Sequence, residues 1–390
     1  MAAVLLAGFC TFLDLYATQP ILPLLMRAFH VPEVEAALTV SVATFAVALT
    51  APIVGMISDR VGRRPVITFS ILALTVPTFL AATASTLPAL LVWRFLQGCL
   101  MPGIFAITVA YVSEEWAEEG PGAAMSAYVT GTVLGGFTGR FLSGMVAEHW
   151  SWRVAFVLLG VLNLAGAIAV RAWLPPSRRF TREAHWGASL LGMASHLRSR
   201  DLLSAYAVGF NVLFSLVATF TYVTFHLSAP PYRVSNVFLA YLFTVYLVGA
   251  AVTPIAGRWI DRFGHRLCVA VALGVSSMGA LLTLAPNVWA VAAGLALCCS
   301  GVFVCQSASS SYVGLVAGRA RSSAVGLYVT LYYVGGTAGG ILPGLLWKWG
   351  GWTSCVVLVV AMQVAAMSLA LTFWRTHTYR SSLGAPWSIE

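Results

Sequence analysis

The chain is short of charge. Only 9% of its 390 residues are Asp, Glu, Lys or Arg, against roughly a quarter in an ordinary soluble domain, and 59% belong to the hydrophobic set. That balance excludes a water-soluble globule. Acidic residues are the scarcest: there are 13, and Asp14 alone falls inside an apolar run, the rest lying in loops, tails or helix ends. The seven cysteines (10, 99, 268, 298, 299, 305 and 355) lack the C-x-x-C spacing of a zinc or redox site and read as small core hydrophobes. The chain also lacks a Walker loop, a G-x-S-x-G elbow, an H-E-x-x-H pair and a dinucleotide fingerprint in a strand-turn-helix setting. No enzymatic activity, cofactor or metal is therefore expected, and ATP-driven transport is disfavoured. The formal charge of +9 does not point to nucleic acid, because the basic residues sit in short gaps between apolar runs and form no continuous face.

What is present in abundance is apolar sequence in blocks of about twenty residues or more, each long enough as a helix to cross a hydrocarbon core of about 30 Å. Charge, Pro and Gly punctuate these blocks into twelve predicted spans: 4–28, 36–58, 66–84, 88–111, 123–147, 152–172, 204–226, 235–257, 267–285, 288–313, 323–347 and 352–374. The expected organisation is a six-helix bundle over 1–172, a polar linker over 173–203 carrying a surface helix, a second six-helix bundle over 204–375, and a tail over 376–390. The first run starts almost at Met1 without a basic region before it, which predicts a retained helix and not a cleaved signal peptide.

Arginine predicts the orientation. Of the 22 Lys and Arg residues, Arg94 and Arg140 fall inside spans, sixteen lie on one side of the predicted helices, and only Arg27, Arg153, Arg233 and Lys348 lie on the other. The positive-inside rule then places both termini on the cytoplasmic side. Tryptophans near the predicted helix ends, such as Trp93, Trp150, Trp173, Trp289, Trp349 and Trp374, fit an interfacial belt.

A repeat joins the halves. "GMISDRVGRR" at 55–64 returns as "GRWIDRFGHR" at 257–266, and Tyr128, Thr130, Gly135, Gly136, Gly139, Gly144 and Trp152 return 200 residues later. Six spans separate equivalent points, so both halves enter the membrane in the same sense, which predicts a parallel repeat with a substrate site between the halves near the midplane.

The loop Gly55, Asp59, Arg60, Gly62, Arg63 and Arg64 resembles the first signature of the major facilitator superfamily, with its echo in Asp261, Arg262 and Arg266. Gly55 would let a neighbouring helix approach, Gly62 would permit the turn, and Asp59 at a helix C-terminus would need a cation beside it. The resemblance implies a latch that breaks and re-forms during alternating access, and it covers essentially the whole chain. "LLVWRFLQGCLMPG" at 90–103, with Arg94, Gln97 and Gly98, resembles the fourth-helix motif of proton-coupled members. "GTVLGGFTGRFLSG" at 131–144 resembles the fifth-helix signature of the drug:proton antiporter branch, but Gly136 stands where that pattern has proline and Arg140 where it has its last glycine. The helix is therefore expected to be less kinked, and its glycines are expected to form a close-packing face.

A lone carboxylate in lipid is costly unless it takes up a proton or a cation, so Asp14 is the expected coupling group, with Arg94 or Arg140 as partner. Its predicted depth, toward the inner half, sets it apart from both arginines, which are expected in the outer half. By family resemblance Tyr222 and Gln306 are the favoured cavity residues; Asn163, Asn211, Gln363 and the remaining span tyrosines are expected to join helices. His226 is expected at a solvated helix end, and Glu114, Glu115, Glu118 and Glu119 are expected to balance nearby arginines. The fold expected is an all-α membrane protein, two pseudo-symmetric six-helix bundles of the major facilitator type. The function expected is proton-coupled secondary transport of a small organic solute, with export of amphipathic or drug-like compounds preferred, by a monomer surrounded by lipid. An organic-anion or sugar-acid carrier is the alternative, because two intramembrane arginines outnumber one carboxylate. A solute-binding receptor without transport is the alternative from another class.

Overall fold

The computed structural model describes residues 1–116, 122–177, 199–317 and 321–374, and among these every regular element is helical. In chain order they are α1 (Ala2–Leu15), a 3-10 turn (Gln19–Ile21), α2 (Leu22–Phe29), α3 (Glu33–Val61), α4 (Arg63–Ala81), α5 (Leu87–Leu100), α6 (Pro102–Glu115), α7 (Gly122–His149) and α8 (Trp152–Trp173). The second half holds α9 (Arg200–Ser228), α10 (Asn236–Leu242), α11 (Val245–Phe263), α12 (His265–Leu282), α13 (Val288–Val316) and α14 (Arg321–Phe373). Most of the expected linker with its surface helix, the tail beyond Trp374, Glu118 and Glu119 lie outside the described residues.

Ten helices or broken helix pairs are long and apolar enough to cross a membrane. Two adjustments restore twelve crossings. The 53-residue α14 leaves helical geometry at Gly350 and at Gly351, where φ is 55° and only glycine is at ease, so it is two crossings joined by a tight turn. The 28-residue α7 has the length but not the apolarity, because glycine, threonine and Arg140 dilute it.

Proline explains two of the interruptions inside crossings. Pro20 and Pro23 lack the N–H that would continue α1 into α2, and Pro102 does the same between α5 and α6. At the end opposite the basic loops, Thr86, Ser151, Ser235 and Asn287 each accept a backbone N–H of the following helix, satisfying donors that the helix itself leaves over. At the basic end the turns between α3 and α4 and between α11 and α12 use Gly62 (φ 104°) and Gly264 (φ 79°).

The predicted glycine face is real and repeated. A Cβ on Gly131, Gly135 or Gly139 of α7 would collide with the carbonyls of Leu5, Phe9 and Leu13 of α1, and one on Gly335 or Gly339 of α14 with those of Phe210 and Phe214 of α9. Each half therefore holds its first and fifth crossings backbone to backbone, which is how helices associate where lipid removes the hydrophobic drive. As expected without proline at 136, α7 runs unbroken.

The halves touch one another from midspan toward the end opposite the basic loops. Thr44 and Thr337 share a hydroxyl hydrogen bond of 3.2 Å, Gln19 donates to Thr221 at 3.3 Å, and Asn236 donates to Glu148 at 2.7 Å. Gly144 lies against Ala240, and Gly344 against Val34. Toward the basic end, positions 55 and 257 face open space. The expected close approach at Gly55 is therefore not made: the half that would supply the neighbouring helix meets this one only farther along.

Candidate functional site

A cavity of about 170 Å³ lies between the halves at midspan. Phe12, Tyr16, Gln19, Phe137 and Arg140 line it from the first half, and Tyr246, Phe303, Gln306, Tyr332 and Tyr333 from the second. Its walls are aromatic and its one charged lining residue is Arg140, which is 3% exposed. The guanidinium is held from one side: Nε donates to Gln19 Oε1 at 2.8 Å and Nη1 to the Gly136 carbonyl at 2.7 Å, while Nη2 has no hydrogen bond to a described residue. Three rings face its plane, Tyr246 at 4.3 Å, Tyr16 at 4.6 Å and Phe243 at 5.5 Å from their centroids. Such contacts contribute up to about 2 kcal/mol when desolvated and, with the two hydrogen bonds, help to offset the cost of a cation at mid-membrane, but they leave Nη2 without a hydrogen-bond acceptor. No carboxylate pairs with it among the described residues. The site is therefore a fixed, incompletely satisfied cation in an aromatic chamber, an arrangement that attracts a carboxylate and repels a cation.

Asp14, Arg94 and Gln97 form a separate cluster inside the first half, away from the cavity lining. All three are fully buried. Arg94 donates Nε to the Thr39 carbonyl at 2.9 Å, Nη1 to the Asp14 carbonyl at 2.9 Å and to Gln97 Oε1 at 2.7 Å, and Nη2 to the Leu15 carbonyl at 2.6 Å. The Leu15 carbonyl belongs to the loose end that the break after α1 creates, whereas the Asp14 carbonyl also accepts the Ala17 N–H at 3.2 Å. Hydrogen bonds to a charged group contribute about 1.5–3 kcal/mol each, so four of them outweigh the cost of the buried cation. Arg94 thus fixes the broken end of α1 to α3 and α5.

The Asp14 side chain is bonded differently from the sequence expectation. Its Oδ2 accepts from Thr78 Oγ1 at 3.0 Å and from Asn163 Nδ2, and no ion pair joins it to Arg94 or Arg140. Arg140 turns into the cavity instead, because it projects from α7 beside Tyr16 and Gln19. The expected difference in depth between Asp14 and Arg94 does not hold either: α1 starts at Ala2 and breaks at midspan, which brings Asp14 level with the middle of α5.

Of the other candidates, Gln306 lines the cavity. Tyr222 is fully buried outside it, donating to the Gly340 carbonyl at 2.7 Å and packing on Trp347. His226 is not a freely solvated helix end; it stacks on Trp352 at 5.5 Å and meets Tyr232 edge-on. Among the described residues no group of three His, Cys, Asp or Glu side chains is placed to hold a metal ion.

The two loop motifs differ. In the first, Arg63 bridges Asp59 at 2.5 Å and Glu114 of α6 at 2.7 Å, and Arg64 donates to the Arg171 carbonyl at 3.3 Å. Asp59 thereby receives the cation that its place at a helix C-terminus demands. In the second, neither Asp261 nor Arg266 has an ion pair among the described residues, and Arg262 lies over the Phe263 ring at 5.3 Å.

Sequence reasoning missed Tyr16, Gln19, Phe243, Tyr246 and Thr78. For the first two a signal existed, since Phe12, Tyr16 and Gln19 are spaced four and three apart and so share one helical face with a polar member. Tyr246 and Phe243 carry no local signal, because what brings them to Arg140 is the approach of the other half.

A family model described as Major Facilitator Superfamily matches residues 4–252 and 224–387. The chain is 34% identical over 365 residues to an uncharacterized MFS-type transporter, YybF, of Bacillus subtilis, covering 93% of this chain and 90% of that protein. It is 32% identical to the inner membrane transport protein YnfM of Escherichia coli, covering 94% and 88%. A gentisate transporter of Corynebacterium glutamicum is 25% identical, covering 97% and 89%. Among solved structures, an inward-facing bacterial homolog of the human lysosomal transporter Spinster superposes with a TM-score of 0.77 at 15% identity, covering 95% of each chain.

Proposed function

The chain belongs to the Major Facilitator Superfamily, a transporter and not an enzyme, and from that premise we propose that its cargo is a small organic anion with an aromatic body. The observation that carries this reading is Arg140, a cavity-lining cation with no carboxylate partner and a free guanidinium edge. The aromatic walls supply area for a flat ring, and Gln306 and Gln19 supply polar contacts at its rim. The relative named for gentisate, a hydroxylated aromatic acid, is of the same chemical class. Cationic amphiphiles, the cargo of the drug-export reading, are disfavoured by the same charge.

Proton coupling through Asp14 and export from the cell are kept from the sequence reading. Inward movement of a proton in exchange for an outgoing anion carries two charges in the direction favoured by an inside-negative potential, about 2.3 kcal/mol per charge per 100 mV. The protein is read as a monomer in the bacterial inner membrane, both termini cytoplasmic, with the basic end facing the cytoplasm. On that placement the halves are sealed toward the outside and parted toward the inside.

The test is flux in proteoliposomes with an imposed pH gradient, comparing aromatic monocarboxylates with cationic dyes. Carboxylate movement that depends on the gradient, and that Asp14→Asn uncouples, is the expected result. Transport of cationic dyes with no response to carboxylates would sink the anion reading.

A further inference from the structure

We infer that Asp14 and Asn163 hold the transported proton jointly, as a carboxylic acid hydrogen-bonded to a carboxamide across α1 and α8. The two side chains already touch through Asn163 Nδ2 and Asp14 Oδ2. Each then has one oxygen left, Asp14 Oδ1 and Asn163 Oδ1, and both are buried without a hydrogen-bond partner. Two buried acceptors without a donor, on side chains already hydrogen-bonded to each other, make an unstable arrangement. A single added hydrogen removes both: bonded to Asp14 Oδ1, it is donated to Asn163 Oδ1. The ring so formed has two hydrogen bonds, N–H to Oδ2 and O–H to Oδ1.

The surrounding bonds already point the right way. Arg94 donates to Gln97, Gln97 Nε2 donates to Thr78 Oγ1 at 2.8 Å, and Thr78 donates its one hydrogen either to Asp14 Oδ2 or to the Leu74 carbonyl at 2.8 Å. With the hydroxyl turned to Asp14, the chain serves the carboxylate; with it turned to Leu74, the carboxyl relies on Asn163 and its own proton. Thr78 is thus a two-position donor beside the proton site.

The charged and titratable groups facing Asp14 are few. Arg94 faces it from α5, and Cys10 lies one turn back on α1. From α4 and α8 come the neutral Thr78 and Asn163, and from α3 the Thr39 carbonyl already held by Arg94. Arg140 of α7 turns to the cavity, and Tyr111 and Glu114 of α6 lie at the basic end. The step balances simply: hydronium gives its proton to Asp14 Oδ1 and becomes water, and the reverse step returns it.

This inference rests on the reading of Asp14 as the coupling group, but it is tested on purified protein without cargo, so it stands or falls apart from transport. The measurement is infrared difference spectroscopy between acidic and alkaline buffer, on chains whose asparagine carboxamides carry carbon-13. The wild-type chain, minus the same spectrum of Asp14→Ala, is expected to show a protonated-carboxyl band together with a shift of a labelled asparagine band. In Asn163→Leu the carboxyl band moves to higher frequency, as that of a carboxylic acid deprived of its acceptor. A silent asparagine label, a carboxyl band that responds to oxygen-18 water, or no protonated carboxyl assignable to Asp14 would each overturn the pairing. Should Asn163→Leu fail to fold, the label in the unsubstituted chain decides.

Discussion

Position 14 on α1 is a carboxylate answered by Thr78 and Asn163, whereas the matching place on α9 is Ser215, whose hydroxyl donates to Asn211 at 3.3 Å. Asn163 of α8 has its counterpart in Gln363 of α14, which accepts from Ser277 at 2.7 Å and donates to Ser276 at 2.8 Å, with Ser276 leaning in turn on Cys298. Where α5 carries Arg94, the whole of α13 is without charge. Both halves thus join their third and sixth crossings through a polar knot, but only the knot of the first half holds an ionisable carboxylate and an arginine. The halves share a backbone plan but not their charges, and on the proposed reading the first half is the one that responds to protons.

That contrast is breakable by substitution. The largest expected effect is Arg94→Leu, which takes the donor from the Leu15 carbonyl and from Gln97 Oε1 and leaves Asp14 without its neighbouring cation; a loss of about 3–5 kcal/mol is expected, read as a collapse of thermal stability in detergent. Gln363→Leu, the corresponding injury to the neutral knot, is expected to cost only about 0.6–1.7 kcal/mol. Equal losses would erase the distinction.

Next comes the cavity. Arg140→Gln removes a charge-assisted contact of about 1.5–3 kcal/mol to the cargo, so carboxylate flux falls by about tenfold to a hundredfold in proteoliposomes, while Arg140→Lys keeps part of it. Gln306→Leu, from the second half, is expected to change flux by less than Arg140→Gln; the reverse order would move the anion site to the other wall.

The glycine ladder sharpens the comparison from the side where the halves agree. Gly139→Val and Gly339→Val push a side chain into the Leu13 and Phe214 carbonyls, and each is expected to cost about 1–3 kcal/mol in thermal unfolding. A large cost in one half only would show that the repeat is not carried by this contact.

Smallest is the latch. Glu114→Gln loosens one arm of Arg63 and is expected to change stability by only about 0.2–1 kcal/mol, with Asp261→Asn smaller still because that carboxylate has no ion pair here. Cross-linking between α3 and α14 at the basic end should nevertheless become slower or faster in the first variant and stay the same in the second.

Much of this was readable before any fold was known. Twelve crossings followed from apolar length and charged punctuation, and the parallel repeat from Gly55–Arg64 and Gly257–Arg266, because those residues act locally at turns and helix ends. The glycine ladder was readable for the same reason: a small residue every fourth position marks a face. The pairing of charges was not. Asp14, Arg94 and Arg140 are spread over 126 residues, and sequence alone joined them by sign; the break at Pro20 instead hands Arg94 the α1 carbonyls and hands Asp14 to two neutral groups. The aromatic cage of Arg140 was equally hidden, since half of it arrives from the opposite bundle.

The interruption after Leu15 has one more implication. The six residues that span this break look two ways: Asp14, at the end of α1, points back among the helices of its own half, while Tyr16 and Gln19 point forward to the Arg140 guanidinium. A twist of so short a hinge moves both ends at once, like the two arms of a crank. If Asp14 carries a proton and Arg140 meets the cargo, as proposed, the two events are joined by six residues of chain and need no distant messenger.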